Sequence, residues 1–200
     1  MAPTDRELLS AWRAGDDHAA QQLIERHFDA LCRFFRSKLG DDVDDLIQRT
    51  FLDCVESRDN ISQPSFRAYL FGVARNRLFD HLRAIHRRPT DAIGSRSMAD
   101  LCTGLSQAFA QQHTAQLVTR ALQTLPLDFQ MTLELAYWEE LRGAEIAAAL
   151  GVSEHTVRSR LSRGRMMLKS AITELASDPA VADEATRSVA QLVKKDLLFS

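Results

Sequence analysis

Between Ser153 and Arg165 the chain reads SEHTVRSRLSRGR, with four arginines in close succession. Guanidinium groups hold oxyanions, and their planar fork of donors suits both phosphate and the acceptor edge of guanine. The surrounding residues state how such a fork would be carried. Gly151 permits a tight turn and Ser153 is a natural N-cap. On a helix advancing about 100° per residue, Val157, Leu161, Gly164 and Leu168 fall on one narrow stripe. His155, Arg158, Ser159, Ser162 and Arg163 then point away from it. The stripe is expected to pack on the preceding helix through Ile146, Ala147 and Leu150. This is a helix-turn-helix layout whose second helix is free to enter a major groove, Glu154 to Ser159 nearest the base edges. Arg163 and Arg165 are placed for phosphates. A helical hairpin with a solvated basic face is the competing reading.

A second basic run, FRAYLFGVARNRLFDHLRAIHRRP, interleaves arginines with aromatics. Arg67, Arg75, Asn76, Arg77, Arg83, Arg87 and Arg88 suit the phosphates of single-stranded nucleic acid, and flat rings suit its unstacked bases. Phe66, Tyr69, Leu70, Val73, Leu78 and Leu82 supply core contacts. Between Lys38 and Asp59 the sign reverses, with seven acids against three bases. Val43, Ile47, Thr50, Phe51 and Cys54 form a buried face there. Asp45, Gln48, Arg49 and Leu52 gather on the other, flanked by Asp44. A leucine rimmed by acids is usable as a docking patch for a protein; a lone exposed leucine of the kind common on protein surfaces is the competing reading. The whole chain carries 25 Lys+Arg and 27 Asp+Glu, so its near-neutrality is a sum of opposite surfaces, which implies two kinds of partner.

Other chemistry is not encoded in recognisable form. Cys32, Cys54 and Cys102 make no CxxC pair, and His18, His27, His81, His86, His113 and His155 are scattered, so no metal site is expected. No catalytic triad or phosphate loop is present, and the chain is read as not an enzyme, with no cofactor. The opening MAPTDRELLS lacks a signal-peptide pattern, and no apolar run is long enough for a membrane span. A cytoplasmic protein without a membrane partner is expected.

The elements that must position these residues are helical throughout. Thr4 to Glu7 spells a capping box opening a helix through Trp12, and Gly15 breaks it. Ala19, Leu23, Phe28, Leu31, Phe34, Phe35 and Leu39 mark a long amphipathic helix ending at Gly40. The next begins in the aspartate cluster near Asp42, and Pro64 suits the first turn of a fourth that Pro89 stops. From Asp91 to His113 charge nearly vanishes and Gly, Ser, Thr and Gln accumulate. This is a linker in which Met98, Leu101, Leu105 and Phe109 could form a docked turn. Helices resume at Thr114, with breaks near Pro126, Gly143 and Gly151. A further helix starts near Pro179, where Val181, Ala185, Val189, Leu192 and Val193 recur at helical spacing. The expectation is an all-α protein of two small helical domains joined by a flexible linker. The helix-turn-helix lies in the second domain, and a C-terminal helical extension follows.

In this order the pieces resemble the bacterial RNA polymerase sigma factors of the extracytoplasmic-function (ECF) type, in the sigma-70 family. DVDDLIQRTF resembles the family's region-two segment. FRAYLFGVARNRLFDHLR resembles its promoter-melting helix, LPLDFQMTLELAYWEEL the opening of region four, and GAEIAAALGVSEHTVRSRLSRGRMMLK its helix-turn-helix. The resemblance implies a domain 1–90 that binds core polymerase and melts the minus-ten element, and a linker 91–113. It further implies a domain 114–172, helix-turn-helix about 143–165, that reads the minus-thirty-five element. The extension 173–200 has no counterpart. Asp42, Asp44, Asp45, Gln48, Arg49 and Leu52 fall at polymerase-facing positions. Arg67, Arg75, Asn76, Arg77, Arg83 and Arg87, with the loop Glu56–Ser65, fall at minus-ten positions. Ser153, Glu154, His155, Thr156, Arg158, Ser159 and Arg163 fall at minus-thirty-five positions. The implied partners are core RNA polymerase, promoter DNA as duplex and melted strand, and an anti-sigma factor or other regulator. Arg49 and Gln130 depart from the family pattern, which has an acid and an arginine there. A stand-alone helix-turn-helix regulator, or an adaptor acting on sigma factors by protein contact alone, is the alternative.

Overall fold

A computed structural model describes residues 2–61, 65–87 and 109–196. Among them are nine α-helices, one 3₁₀ turn and no strand. The linker expected at 91–113 falls largely outside the described residues, as do Pro64, Arg88, Pro89, Cys102 and the last four residues. By their internal contacts the described residues form two units. One is drawn from Met1–Ile93 with Leu141–Glu154, the other from Gly94–Glu140 with His155–Ser200.

The first unit begins with α1 (Asp5–Arg13). Its capping box forms as spelled: the Glu7 amide donates to Thr4 Oγ1 at 3.3 Å and the Thr4 amide to Glu7 Oε2 at 2.7 Å. Gly15 takes a positive φ of 97°, a cheap conformation only for glycine. It turns the chain into α2 (Asp17–Leu39), capped by Asp16 through the His18 and Ala19 amides. The buried stripe of α2 contains Leu23, His27, Leu31, Phe34, Phe35 and Lys38. Phe28, assigned to that stripe by spacing, is instead 46% exposed. The inward position belongs to His27, whose Nε2 meets Asp5 Oδ2 at 2.7 Å and whose ring lies 5.6 Å from Phe66. A polar residue with a partner can occupy a core position that an apolar count awards to its neighbour. Burial opposes ionisation of Asp5, yet the hydrogen bonds and charges of His27 and Arg26 prevail and hold its carboxyl below the usual range. Lys38 is likewise buried, with Nζ donating to the Phe34 carbonyl at 2.7 Å and lying 3.9 Å from the Phe34 ring centre.

Helix α3 (Asp44–Glu56) starts two residues later than the aspartate cluster suggested. The Val43 amide bonds back to the Asp41 carbonyl at 2.9 Å, so Asp41 and Asp42 belong to the turn. A 3₁₀ turn, Arg58–Asn60, leads to α4 (Phe66–Arg87). Ser65 caps α4, its Oγ accepting from the Ala68 amide at 3.1 Å. Leu70, Phe71, Ala74 and Leu78 of α4 are fully buried, so Phe71 is a core residue. Gly72 completes this face: a Cβ there would sit 3.5 Å from the Ala149 carbonyl oxygen of α7 (Gly143–Leu150). Small residues on both helices allow that approach. Burial, reinforced by the Asp53 carboxylate, pushes the Cys54 thiol up to about 12, which makes it a packing group rather than a nucleophile.

The second unit contains α5 (Phe109–Gln123), α6 (Leu127–Tyr137), α8 (Glu154–Leu175) and α9 (Pro179–Asp196). Helix α6 is its centre, buried from Gln130 through Tyr137. Gln130, which replaces the family's arginine, donates to Glu134 Oε1 at 3.1 Å inside this core. The apolar stripe of α8 rests on α6, with Leu133 carbons 3.2 and 3.3 Å from where a Cβ on Gly164 would lie. Spacing assigned the opposing face to Ile146, Ala147 and Leu150. Those residues are buried, and α7 packs on α4 within the first unit.

The C-terminal extension folds as the helix expected from Pro179. The Ala180 amide bonds Asp178 Oδ1 at 2.8 Å, and α9 lies against α5 and α6 with Ala182 and Ala185 buried. A crevice of 670 Å³, lined by Lys169, Thr173, Asp183 and Arg187 among others, separates α9 from the end of α8. Removing Ser177 to Ser200 uncovers the α5–α6 face. The expected outcome is a lower melting temperature for the truncated protein and altered transcriptional output with core polymerase. Unchanged values of both in calorimetry and in-vitro transcription would leave α9 without a role.

Candidate functional site

Three surfaces carry the residues singled out above. On the first, α3 turns its acidic side to solvent. Asp44, Asp45, Gln48 and Arg49 are exposed, and Leu52 is 50% exposed. Val43, Leu46, Ile47, Thr50, Phe51 and Cys54 hold the opposite side in the core. Arg49 does not stand alone against the acids: its Nε donates to Asp45 Oδ1 at 3.0 Å, one turn away. With side chains 59% and 71% exposed, such a pair contributes little stability, on the order of 0.3–0.5 kcal/mol. Two apolar residues enlarge the patch beyond the expected set. Val55 is 39% exposed and Phe28 46%, its ring stacked on Phe51 at 6.3 Å between centres. On the helix Val55 lies one turn from both Phe51 and Leu52, so Phe28 borders the same face. Spacing alone did not single out Phe28, since the adjacent Phe34 and Phe35 of the same helix are both buried.

The second surface is the solvent side of α4. Asn76 and Arg83 are exposed and lie within about 20° of each other around the helix. Arg83 is hydrogen-bonded to Asp80 at 3.0 Å with both side chains 64% exposed. The Arg75 guanidinium lies 5.0 Å from the Phe79 ring centre and also reaches Asn76 Oδ1 at 3.3 Å. Arg67 is half-buried at the start of the helix, and the side chain of Arg87 lies outside the described residues. Arg77 departs from this surface. Its Nε donates to Asp53 Oδ2 at 2.6 Å, and a second bond from Nη2 to Asp53 Oδ1 makes the pair bidentate. Arg77 thus ties α4 to α3.

The third surface is on α8, where the four arginines divide in two. Arg160 bonds Asp128 Oδ2 at 2.7 Å and Arg165 bonds the Tyr137 hydroxyl at 3.3 Å, both toward α6. Arg165, expected at a phosphate, is therefore a half-buried packing residue, because it lies beside the Val157–Leu168 stripe. Arg158 and Arg163 are exposed, together with Ser153, Glu154 and His155, while Thr156 and Ser159 are half-buried. Gly151 closes α7 in the left-handed conformation at φ 63°, and α8 opens one residue after Ser153. No group of three or more His, Cys, Asp or Glu positioned for a metal occurs among the described residues. No described helix is long and apolar enough to cross a membrane.

The described residues thus form an all-helical protein with an exposed acidic face on α3 and exposed arginines on α4 and α8. The sequence matches the family models Sigma-70 region 2 over residues 23–88 and Sigma-70, region 4 over residues 115–168. It is 32% identical over 168 residues to the ECF RNA polymerase sigma factor SigM of Mycobacterium tuberculosis, covering 82% of this chain and 83% of that one. It is 27% identical over 183 residues to the ECF RNA polymerase sigma-E factor of Escherichia coli, covering 86% and 96%. Its fold is similar to CnrH, solved in complex with the cytosolic domain of CnrY, with a TM-score of 0.64 and 27% identity over 86% of this chain and 99% of that one. The chain belongs to the ECF RNA polymerase sigma factors. It binds core RNA polymerase and directs promoter-specific transcription initiation, and such factors are non-enzymatic.

Proposed function

We propose that the three surfaces divide the work of initiation. The exposed side of α3, with Asp42 in the turn before it, receives core polymerase through Asp44, Asp45, Gln48, Arg49 and Leu52. The solvent side of α4 receives the melted minus-ten strand through Asn76, Arg75 and Arg83, with Arg67 and Arg87 at its two ends, and Arg77 acts only through Asp53. The exposed side of α8 reads the minus-thirty-five duplex through Ser153 to Ser159 and Arg163. The domains are then 1–90 and 114–172, joined by 91–113. The observation that carries this reading is the separation of charge: acids exposed on α3, unburdened arginines exposed on α8. Opposite surfaces for opposite partners explain why a DNA-binding chain has a net charge of only −2. A nearly neutral protein neutralises few phosphates alone and gains promoter affinity once polymerase joins its two DNA grips.

The protein acts in the cytoplasm, carries no catalysis of its own, and is held in check by a regulator. The similar fold of CnrH was solved bound to another protein, the cytosolic domain of CnrY, which supports a protein partner for this chain by analogy.

Two substitutions separate the surfaces. Asp45→Lys reverses a charge and frees Arg49, so core binding is expected to weaken about tenfold, mainly through slower association. Arg158→Ala should leave core binding unchanged and lower initiation at a mapped promoter by about 1–3 kcal/mol of lost base contact. Titration of labelled protein with core enzyme and in-vitro transcription check both. Equal core affinity for wild type and Asp45→Lys would remove α3 from the interface.

A further inference from the structure

The turn that follows α3 is gripped from outside by one side chain. Arg13, the last residue of α1, donates from Nε to the Arg58 carbonyl at 2.9 Å and from Nη2 to the Ile61 carbonyl at 2.7 Å. These two acceptors bracket the 3₁₀ turn Arg58–Asn60. The turn's own backbone bond runs from the Asn60 amide to the Ser57 carbonyl at 2.9 Å, while the Ser57 amide closes α3 on the Asp53 carbonyl at 3.0 Å. A 3₁₀ turn has poor intrinsic hydrogen bonding, so outside donors to its carbonyls matter more than they would in an α-helix.

Both ends of the clamp are fixed. Trp12, 2% exposed, anchors α1 beside Arg13, and the Ala14 amide closes the helix on the Ser10 carbonyl at 3.1 Å. At the far end Ile61 is buried, so its carbonyl is located by its own side chain. On the other flank the Asp53–Arg77 pair ties the last turn of α3 to α4. Between these fixed points Asp59 and Asn60 stay exposed. The backbone is held while the side chains are offered to solvent, which is how a recognition loop is prepared. Arg13 also lies ahead of the region-two match, which begins at residue 23, so family motifs do not point to it.

We propose that Arg13 is a positioning residue for minus-ten strand selection, holding the Arg58–Ile61 turn in one conformation before the unpaired strand arrives. The proposal rests on the reading that the segment between α3 and α4 meets the melted strand. Residues ordered in advance need not be ordered during binding, so the energy of each correct contact goes into discrimination. The forked guanidinium is needed because the two carbonyls are separate acceptors, and a lysine ammonium would satisfy them less well.

The test uses holoenzyme reconstituted from core polymerase and the full chain. The probe is a mapped promoter fragment randomised at the minus-ten element, with a second library randomised at the minus-thirty-five element. Open complexes are isolated and sequenced. Arg13→Ala is expected to lower minus-ten enrichment roughly fivefold, the equivalent of about 1 kcal/mol. Core affinity and minus-thirty-five enrichment stay at wild-type values, and Arg13→Lys recovers part of the loss. A paired variant, Arg58→Ala with Asn60→Ala, lowers minus-ten enrichment directly. If the paired variant lowers it and Arg13→Ala does not, the positioning role is overturned while the loop reading stands. If neither changes it, both fall. Loss of core affinity or of enrichment at both elements in Arg13→Ala and Arg13→Lys alike would show a general folding defect and overturn the role.

Discussion

Leu52→Asp is expected to lower the affinity for core RNA polymerase about thirtyfold while leaving the fold intact. The two halves of this expectation have separate grounds. Leu52 is half exposed and takes no part in the buried side of α3, so its replacement should change stability by no more than about 0.5 kcal/mol. On the proposed polymerase face, however, an apolar residue ringed by Asp45, Gln48 and Arg49, and continued by Val55 and Phe28, would be the desolvated centre of the patch. Truncating such a centre typically costs 2 kcal/mol or more, roughly a factor of thirty. Aspartate adds a charge that must be desolvated on docking. Phe28→Ser should give a smaller loss, since that ring sits at the border of the patch and is partly committed to Phe51. Arg83→Ala, on the other surface, should leave core binding at the wild-type value. A titration showing Leu52→Asp bound as tightly as wild type would mean that the apolar centre of the interface lies elsewhere.

Gly164→Leu is expected to destabilise the second unit by about 3 kcal/mol, at the upper end of the usual overpacking range, and to abolish promoter selection by α8. A Cβ at this position already lies 3.2 Å from Leu133 Cδ1 and 3.3 Å from its Cγ. Leu133 is fully buried on α6, so it has little room to yield. Gly164→Ala sets two terms of similar size against each other. Removing a glycine from a helix interior favours folding by about 1 kcal/mol, and a shift of a few tenths of an ångström at Leu133 costs a comparable amount. The alanine variant should therefore melt close to wild type, while leucine, with three further carbons, cannot be placed without displacing α8. That displacement would break Arg160–Asp128 and Arg165–Tyr137 together. Denaturant melts of the two variants check the ordering. A leucine variant as stable as alanine would mean that α6 and α8 are not held in close contact at this point.

The two experiments probe features of different legibility. The exposed and buried sides of α3 follow from residue order alone, because helical spacing maps position onto a face and the buried face here is almost wholly apolar. The same holds for the Thr4–Glu7 capping box, the Gly15 and Gly151 turns, and the Val157–Leu168 stripe, whose signals are contained within a few neighbouring residues. Where two residues compete for one inward position, spacing was not enough. His27 displaces Phe28 because Asp5, over twenty residues away, offers it a partner. Arg77 and Arg165 look like their neighbouring arginines in a linear reading. They differ from those neighbours because Asp53 and Tyr137 are brought beside them by packing.

Residue order alone set the helices, the sign of each surface and the family, since all of these depend on local composition and on motifs read in sequence. Tertiary structure decided which arginines are paired within the fold, that Phe28 and Val55 extend the exposed face of α3, and that Arg13 reaches the turn before α4. Each of those is a contact between residues far apart in the chain. Such contacts are set by how helices pack, and helix packing depends on the shapes of both faces at once rather than on either sequence alone.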